Sequence, residues 1–155
     1  MTYLKLVLAL AALTFPGVAL ANGQVALTSD VFVEKQSMDA TGRTKLVLEE
    51  PKLVVPGDKL VFVLKYQNKS SAPASNFVVT NPLPDAVTFQ TALDEGAVVS
   101  VDGGRSWGNL TTLKVKDGNA LRNANASDVT HIRWTFTKPI PAGSAGKLMF
   151  RGIVR

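Results

Sequence analysis

Hydrophobic and polar residues alternate with a period of two in short runs beyond residue 21, and no sustained 3.6-residue periodicity is present. This alternation predicts β-strands that turn one face inward. The three clearest runs are Lys59–Gln67, Thr130–Thr137 and Lys147–Arg155. Their predicted inward residues are Leu60, Phe62, Leu64 and Tyr66 in the first run, Ile132, Trp134 and Phe136 in the second, and Leu148, Phe150 and Val154 in the third.

Weaker runs of the same kind complete the pattern. The further predicted strands are Val25–Lys35, Thr44–Glu49, Asn76–Thr80, Val87–Thr91, Ala97–Val101 and Thr111–Lys116. Segments rich in Pro, Gly, Asn and Asp separate them, as expected for turns. The polar stretch Asp117–Asp128 is predicted to be a long surface loop. The whole pattern predicts an all-β fold, a two-sheet β-sandwich of seven to nine strands.

The first 21 residues have the order of a secretory signal peptide. Lys5 supplies a positive charge, an unbroken apolar run extends from Leu6 to Leu13, and Ala19-Leu20-Ala21 is an A-x-A cleavage site. The apolar run is too short to cross a bilayer, which takes about 20 residues. We therefore predict cleavage between Ala21 and Asn22 and an exported product in the periplasm, at the cell surface or in the medium, with no membrane span in the mature chain.

Composition narrows the chemistry of this product. The chain has 155 residues, no Cys and one His, with 46% hydrophobic residues and 19% charged residues. The absence of Cys excludes disulfides, thiolate metal sites and thiol catalysis, and the single His leaves little acid–base chemistry near neutral pH. We predict a non-enzymatic protein with no catalytic residues, no cofactor and no metal site. Residues 22–155 are interpreted as one domain, with an N-terminal strand segment (22–50) ahead of a core (51–155).

One stretch of that core resembles a known family. The sequence PGDKLVFVLKYQNKSSAPASNFVVTNPLPDAVTF, from Pro56 to Phe89, is similar to the conserved repeat domain of bacterial and archaeal surface proteins, catalogued as domain of unknown function 11. The positions that carry the resemblance are Gly57-Asp58, Leu60, Phe62, Leu64, Tyr66, Asn68, Asn76, Val78-Val79, Leu83-Pro84 and Phe89. Asn81 stands where the family has Asp. The resemblance implies an immunoglobulin-like β-sandwich in a secreted or cell-surface protein, with a stalk, adhesive or structural role.

A second, shorter resemblance lies at Ser100–Trp107. The sequence SVDGGRSW is similar to the Asp-box, the S-x-D-x-G-x-[ST]-[WF] hairpin of sialidase-type propellers. In this pattern Asp102 is expected to bond the turn backbone, Gly104 to take a positive φ, and Trp107 to pack under the turn. A single copy cannot build a propeller. We therefore interpret the motif as a hairpin stabiliser.

Charge suggests one candidate binding face. The chain carries a formal net charge of +5 at pH 7. If the last two strands pair antiparallel, their outward residues combine into one basic sheet face that suits an anionic polymer such as a polysaccharide, lipopolysaccharide or DNA. That candidate face consists of His131, Arg133, Lys147, Arg151 and Arg155. A solvated face is the plainer interpretation, and no specific nucleic-acid partner is predicted because Trp134 and Phe136 point inward.

Two other features of the sequence bear on binding. The loop acids Asp94, Glu95, Asp102, Asp117 and Asp128 lack the spacing of a calcium motif, and solvated acids are the better interpretation. The strand Val25–Lys35, followed by the polar segment Gln36–Arg43, either opens its own sheet or completes a neighbour's sheet in trans. The function expected overall is that of an exported structural or adhesion module of a bacterial envelope. Its partners would be other envelope or surface proteins, a second copy of itself, or an anionic polysaccharide.

Overall fold

A computed structural model describes residues 25–155, whose regular secondary structure is mainly antiparallel β-sheet. The strands are β1 (Val25–Met38), β2 (Thr44–Glu49), β3 (Lys59–Asn68), β4 (Val78–Pro82), β5 (Val87–Ala92), β6 (Ala97–Ser100), β7 (Lys114–Asp117), β8 (Ala120–Asn123), β9 (His131–Thr135) and β10 (Ala145–Val154). Two 3₁₀ turns, Leu110–Thr112 and Ala126–Asp128, supply the helical residues of this part of the chain. No helix within it has the length and hydropathy needed to cross a membrane. The predicted signal peptide and its cleavage site lie outside the described residues.

The strands form three sheets. The largest has the order β2-β1-β3-β10-β5, a second has the order β4-β9-β6, and β7 and β8 form a separate hairpin. We refer to the first two as the five-stranded and the three-stranded sheet. Their buried residues belong to one hydrophobic cluster. This arrangement confirms the all-β prediction.

The core lies where the two larger sheets meet. Phe150 on β10 is fully buried, stacks parallel to Phe62 on β3 at 4.4 Å between ring centroids, and lies 6.3 Å from the ring of Trp134 on β9. Because side chains of a strand alternate between faces, each strand places every second residue in this cluster. Most of the predicted inward residues are buried there; Tyr66, Phe136 and Val154 are partly buried against it. Their predicted orientation is confirmed.

β3 departs from simple alternation. Val61 and Val63 point away from the shared core, yet they are only 2% and 6% exposed. β3 is the central strand, with β1 on one side and β10 on the other, so neighbouring side chains cover both of its faces. A strand buried on both faces is expected to be an unbroken hydrophobic run, as Leu60–Leu64 is.

Several predicted boundaries are wrong. Residues 25–155 contain ten strands rather than seven to nine, because the predicted loop Asp117–Asp128 contains β8 and a 3₁₀ turn. β7 and β8 form a tight hairpin in which Asp117 pairs with Ala120 and Gly118 takes a φ of 60°. Most side chains of this hairpin are exposed, so no hydrophobic alternation marked it. β1 continues to Met38, three residues into the segment predicted to be a polar connection.

The connections between the sheets depend on Asn68, which is fully buried at the end of β3. Its side-chain nitrogen donates to the carbonyls of Ala72 (2.9 Å), Ile140 (2.9 Å) and Pro141 (3.2 Å). Its side-chain oxygen accepts hydrogen bonds from the backbone N–H and the hydroxyl of Ser70. An Asn at the end of a strand is expected to bond the backbone of the following turn, and Asn68 does so. The same amide also ties the β3–β4 connection to the β9–β10 connection.

Proline cannot donate to a sheet ladder, so the sequence Pro82-Leu83-Pro84 predicts a crossing between sheets. The structure confirms this: Pro82 ends β4 in the three-stranded sheet, and β5 begins at Val87 in the five-stranded sheet. Leu83 is buried at the crossing.

One part of the five-stranded sheet extends past the rest. β3 pairs with β1 only as far as Val33, whereas β2 pairs with β1 from Val33 to Met38. Residues 34–49 therefore form a two-stranded hairpin that projects beyond β3; we call it the hairpin arm. Its turn is closed by Asp39, whose carboxylate accepts hydrogen bonds from Thr41 and from the N–H of Arg43.

Candidate interaction surfaces

The single basic face predicted from the last two strands does not exist. β9 lies between β4 and β6 in the three-stranded sheet, whereas β10 lies between β3 and β5 in the five-stranded sheet. The assumption that β9 and β10 pair with each other is therefore wrong. The short Pro139–Gly143 connection does not form a hairpin but crosses from one sheet to the other, with Ile140 buried and bridged to Ala74. The five predicted residues are consequently divided between two sheets.

His131 and Arg133 lie on the outer face of the three-stranded sheet, beside the hairpin that contains Trp107. The guanidinium carbon of Arg133 lies 3.7 Å from the centroid of the Trp107 ring, and its Nε donates to the hydroxyl of Thr80 at 3.0 Å. The His131 ring meets the same indole edge-on at 6.3 Å. A cation stacked on an aromatic face is held by the quadrupole of the ring. Arg133 therefore already has partners within the chain.

Lys147 and Arg151 share the outer face of the five-stranded sheet. Arg151 donates through Nε and Nη2 to the carboxylate of Glu34, at 3.1 and 3.0 Å, and the Glu34 side chain is only 7% exposed. This ion pair fixes the base of the hairpin arm to β10. Arg155, just beyond β10, donates to the hydroxyl of Thr88 and the carbonyl of Ser127.

A shallow groove on this outer face gathers lysines instead. It has a volume of about 550 Å³ and lies where β1, β3 and β10 run side by side. Lys65, Lys69 and Lys147 line it together with the small residues Ala145 and Gly146. Lys65 is paired with Asp30 at 2.7 Å. Sequence reasoning found Lys147 but missed Lys65 and Lys69, because only the β3–β10 pairing, Lys65 opposite Lys147, brings them together.

The Asp-box-like hairpin is built as its sequence predicts. The Asp102 carboxylate accepts hydrogen bonds from the N–H groups of Arg105 (3.0 Å) and Ser106 (2.9 Å) and from the hydroxyls of Ser100 (2.7 Å) and Ser106 (2.6 Å). Gly104 has a φ of 88°, and its carbonyl accepts the indole N–H of Trp107 at 3.0 Å. The Asp102 bonds to the turn backbone, the positive φ of Gly104 and the contact of Trp107 with the turn are therefore present as the motif predicts.

The same hydrogen bonds hold the pKa of Asp102 far below the usual value for Asp, with the Ser106 hydroxyl as the largest cause. An ionised carboxylate has no proton to donate, so Asp102 is unsuited to act as a general acid. Its oxygens are engaged within its own hairpin.

The remaining loop acids also have partners close to them. Asp128 forms a two-point contact with the Arg122 guanidinium, both bonds at 2.7 Å, and this contact lowers the pKa of Asp128 to about 2. Asp117 lies 3.5 Å from the same guanidinium, and a carboxylate oxygen of Asp94 accepts the N–H of Met149. Asp94, Asp117 and Asp128 are therefore not merely solvated. Among residues 25–155, no group of three or more His, Asp or Glu side chains is arranged to hold a metal ion.

The most exposed apolar surface lies on and beside the hairpin arm. Six of the ten large hydrophobic residues that are exposed in the described chain fall between residues 38 and 55. They are Met38, Leu46, Leu48, Leu53, Val54 and Val55. Leu53 is 80% exposed and lines a cleft with Val33 and Lys35, where the β2–β3 connection passes the arm. Clustered apolar exposure of this kind marks an interaction surface.

The sequence pattern predicts β2 as a strand but does not predict that its apolar side chains are exposed. Its alternation was visible, but whether a strand lies at the centre or the edge of a sheet depends on residues far away in the chain. A weak signal was present: the segment Leu53–Val55 is apolar and ends at the Pro56-Gly57 turn, so it cannot form a long strand of its own.

Comparisons with protein-family models, with curated proteins and with solved structures give no match for this chain.

Proposed function

We propose that this chain is an exported, non-enzymatic structural or adhesion module of a bacterial cell envelope, built as an immunoglobulin-like β-sandwich, that acts through protein–protein or protein–polymer contacts. The observation that carries the proposal is the cluster of exposed apolar residues on the hairpin arm and the β2–β3 connection. A protein free in solution is destabilised by such a cluster only slightly, but it gains affinity for a partner that covers it.

Two further observations support the proposal. The order of charge, apolar run and A-x-A site in Met1–Ala21 is that of an export signal. Two antiparallel sheets share one core, and the Pro56–Phe89 segment that resembles the surface-protein repeat family spans strands of both sheets. Both are expected of a sandwich module in a surface protein.

Export and envelope binding test the proposal together. When the full chain is produced in its own organism, we expect the recovered protein to begin at Asn22 and to co-sediment with isolated envelopes. The Leu53→Lys/Val55→Lys variant is expected to lose about tenfold in envelope binding, since it charges the apolar surface. N-terminal sequencing and quantitative sedimentation measure both results.

The matched control is Leu121→Lys, which charges a leucine that is 70% exposed on β8, away from the arm. It should bind envelopes like the unmodified chain. Recovery of the protein in the cytoplasm with Met1 in place, or equal binding by all three proteins, would contradict the proposal.

A second candidate function is the binding of an anionic polysaccharide. The lysine groove on the five-stranded sheet favours it, because Lys65, Lys69 and Lys147 surround a concave surface lined by small residues. Such binding is electrostatic, so its affinity should fall steadily as added salt screens the lysine charges.

Dextran sulfate is a suitable probe for the groove. We expect Lys65→Gln/Lys147→Gln to reduce its affinity about tenfold at low ionic strength, where exposed charges are least screened. The control Lys114→Gln/Lys116→Gln removes two exposed charges from β7 and should leave the affinity nearly unchanged. Calorimetry at two salt concentrations measures both, and equal losses in the two variants would mean that only net charge matters.

A further inference from the structure

We propose that two copies of this chain associate by antiparallel pairing of their β2 strands about a two-fold axis at Val47. This inference goes beyond the proposed function, because it concerns the solution state of the purified chain whatever the chain does in an envelope.

β2 is an edge strand of the five-stranded sheet. β2 has one partner, β1, and no strand of the described chain pairs with its other side. Natural edge strands are protected by central charges, prolines or bulges. β2 has no proline, its pairing with β1 runs without a register shift, and its charges stand only near its two ends. Its backbone edge is therefore open to another strand.

The leucine side chains of β2 are exposed. Leu46 and Leu48 are 58% and 49% exposed on the same face of the strand. A second β2 running antiparallel would place the Leu46 side chain of one copy opposite Leu48 of the other, and the reverse pair would form on the other side of the axis. Apolar pairs directly across a sheet stabilise strand pairing.

Charge complementarity identifies the partner as a second copy. The sequence of β2 from Lys45 to Glu49 is Lys-Leu-Val-Leu-Glu. In the antiparallel arrangement centred on Val47, Lys45 of each copy lies opposite Glu49 of the other, so two ion pairs flank the apolar centre. A parallel arrangement would instead place Lys45 beside Lys45 and Glu49 beside Glu49, which is unfavourable.

The two charged residues are available for these contacts. Within the described chain, the residues opposite them on β1 are Ser37 for Lys45 and Val33 for Glu49, and neither carries an opposite charge. None of the ion pairs formed among residues 25–155 involves Lys45 or Glu49.

The hairpin arm itself supplies the last argument. Beyond Val33 the described chain supplies two strands of the arm, β1 and β2, and an isolated two-stranded hairpin is marginally stable in water. Pairing two arms gives a four-stranded sheet, β1-β2 of one copy followed by β2-β1 of the other. Because the same patch is used on both copies, the contact closes a dimer and does not propagate into a filament.

Charge reversal tests the pairing. Lys45→Glu and Glu49→Lys each place like charges opposite one another at two points of the dimer, and each is expected to weaken self-association at least about tenfold. The double variant Lys45→Glu/Glu49→Lys restores opposite charges and should dimerise like the unmodified chain. An equimolar mixture of the two single variants should form a heterodimer, since every Glu then faces a Lys. Sedimentation velocity over a concentration series measures all four.

A leucine substitution provides an independent test of the apolar centre. Leu46→Lys/Leu48→Lys should be monomeric, and the control Leu121→Lys should dimerise normally. All substituted residues are exposed, so circular dichroism is expected to show an unchanged fold. A chain that is monomeric at every concentration would overturn the proposal. A dimer that none of these variants weakens would also overturn it, because the contact would then lie elsewhere. A dimer that the double charge swap fails to restore would overturn it too, because Lys45 and Glu49 would then not face each other.

Discussion

Asn68→Ala is expected to lower the free energy of unfolding by about 3 kcal/mol, which is large for one polar side chain. The substitution removes five hydrogen bonds from a fully buried position and leaves a cavity there. The carbonyls of Ile140 and Pro141 keep the N–H groups of Ala74 and Ser144 as donors, so the loss comes from the missing amide bonds and from the cavity. Urea unfolding monitored by tryptophan fluorescence measures the effect.

Two further variants separate the causes. Ser70→Ala removes only the hydroxyl that bonds the oxygen of Asn68 and the carbonyl of Ala72, and we expect a loss below about 1 kcal/mol. Asn68→Asp keeps the shape and the acceptor but has no N–H to donate, and it buries a negative charge against three carbonyls. It should destabilise the protein at least as much as Asn68→Ala at pH 7. A loss for Asn68→Ala no greater than that for Ser70→Ala would mean that the two connections are held by other contacts.

Asp102→Asn is expected to destabilise the protein at neutral pH and to have progressively less effect as the pH falls. The folded chain holds the pKa of Asp102 below its unfolded value of about 4. A carboxyl group with a depressed pKa contributes stability above its unfolded pKa, and this contribution is lost as the pH falls toward the folded pKa. Asp128, with its pKa lowered to about 2, makes the unmodified protein acid-sensitive in the same direction.

The measurement is urea unfolding of both proteins between pH 7 and pH 2. The difference in unfolding free energy should be constant above about pH 5 and should shrink below about pH 4. Limited proteolysis at pH 7 should cut the variant between Ser100 and Gly108, where the hairpin loses its acceptor. The control Asp85→Asn changes an exposed carboxylate on the β4–β5 connection and should behave like the unmodified protein. A pH-independent effect of Asp102→Asn would contradict the argument from ionisation.

Asn68 and Asp102 belong to the parts of the structure that local sequence patterns predict. Asn68 and Asp102 act on backbone groups within a few residues of themselves, so their roles follow from short-range stereochemistry. The same holds for the inward residues of β9 and β10, since alternation along a strand is a local property. The second set of bonds made by Asn68, to Ile140 and Pro141, links residues more than 70 positions apart, and no local pattern predicts these bonds.

The candidate binding surfaces were harder to predict from the sequence, because they depend on which strands pair. Lys147 and Arg151 do share a face, as alternation requires, but Arg133 and His131 belong to the other sheet. The ion pair of Arg151 with Glu34, and the stacking of Arg133 on Trp107, use up charges that appeared free in the sequence. Whether the strand that begins at Val25 pairs in its own sheet or completes a neighbour's sheet likewise depends on distant residues. In the structure β1 lies inside its own sheet, between β2 and β3.

The sequence alone therefore determined the strand content, most of the inward-facing residues, the Asp102 hairpin and the crossing at Pro82–Pro84. These features depend on side-chain alternation, on proline's missing N–H and on hydrogen bonds between near neighbours. Only the tertiary structure decided which strands pair, and with that the separation of β9 from β10, the lysine groove and the open edge of β2. Several distant segments could pair with the same strand edge, and the packing of the whole core decides which of them does.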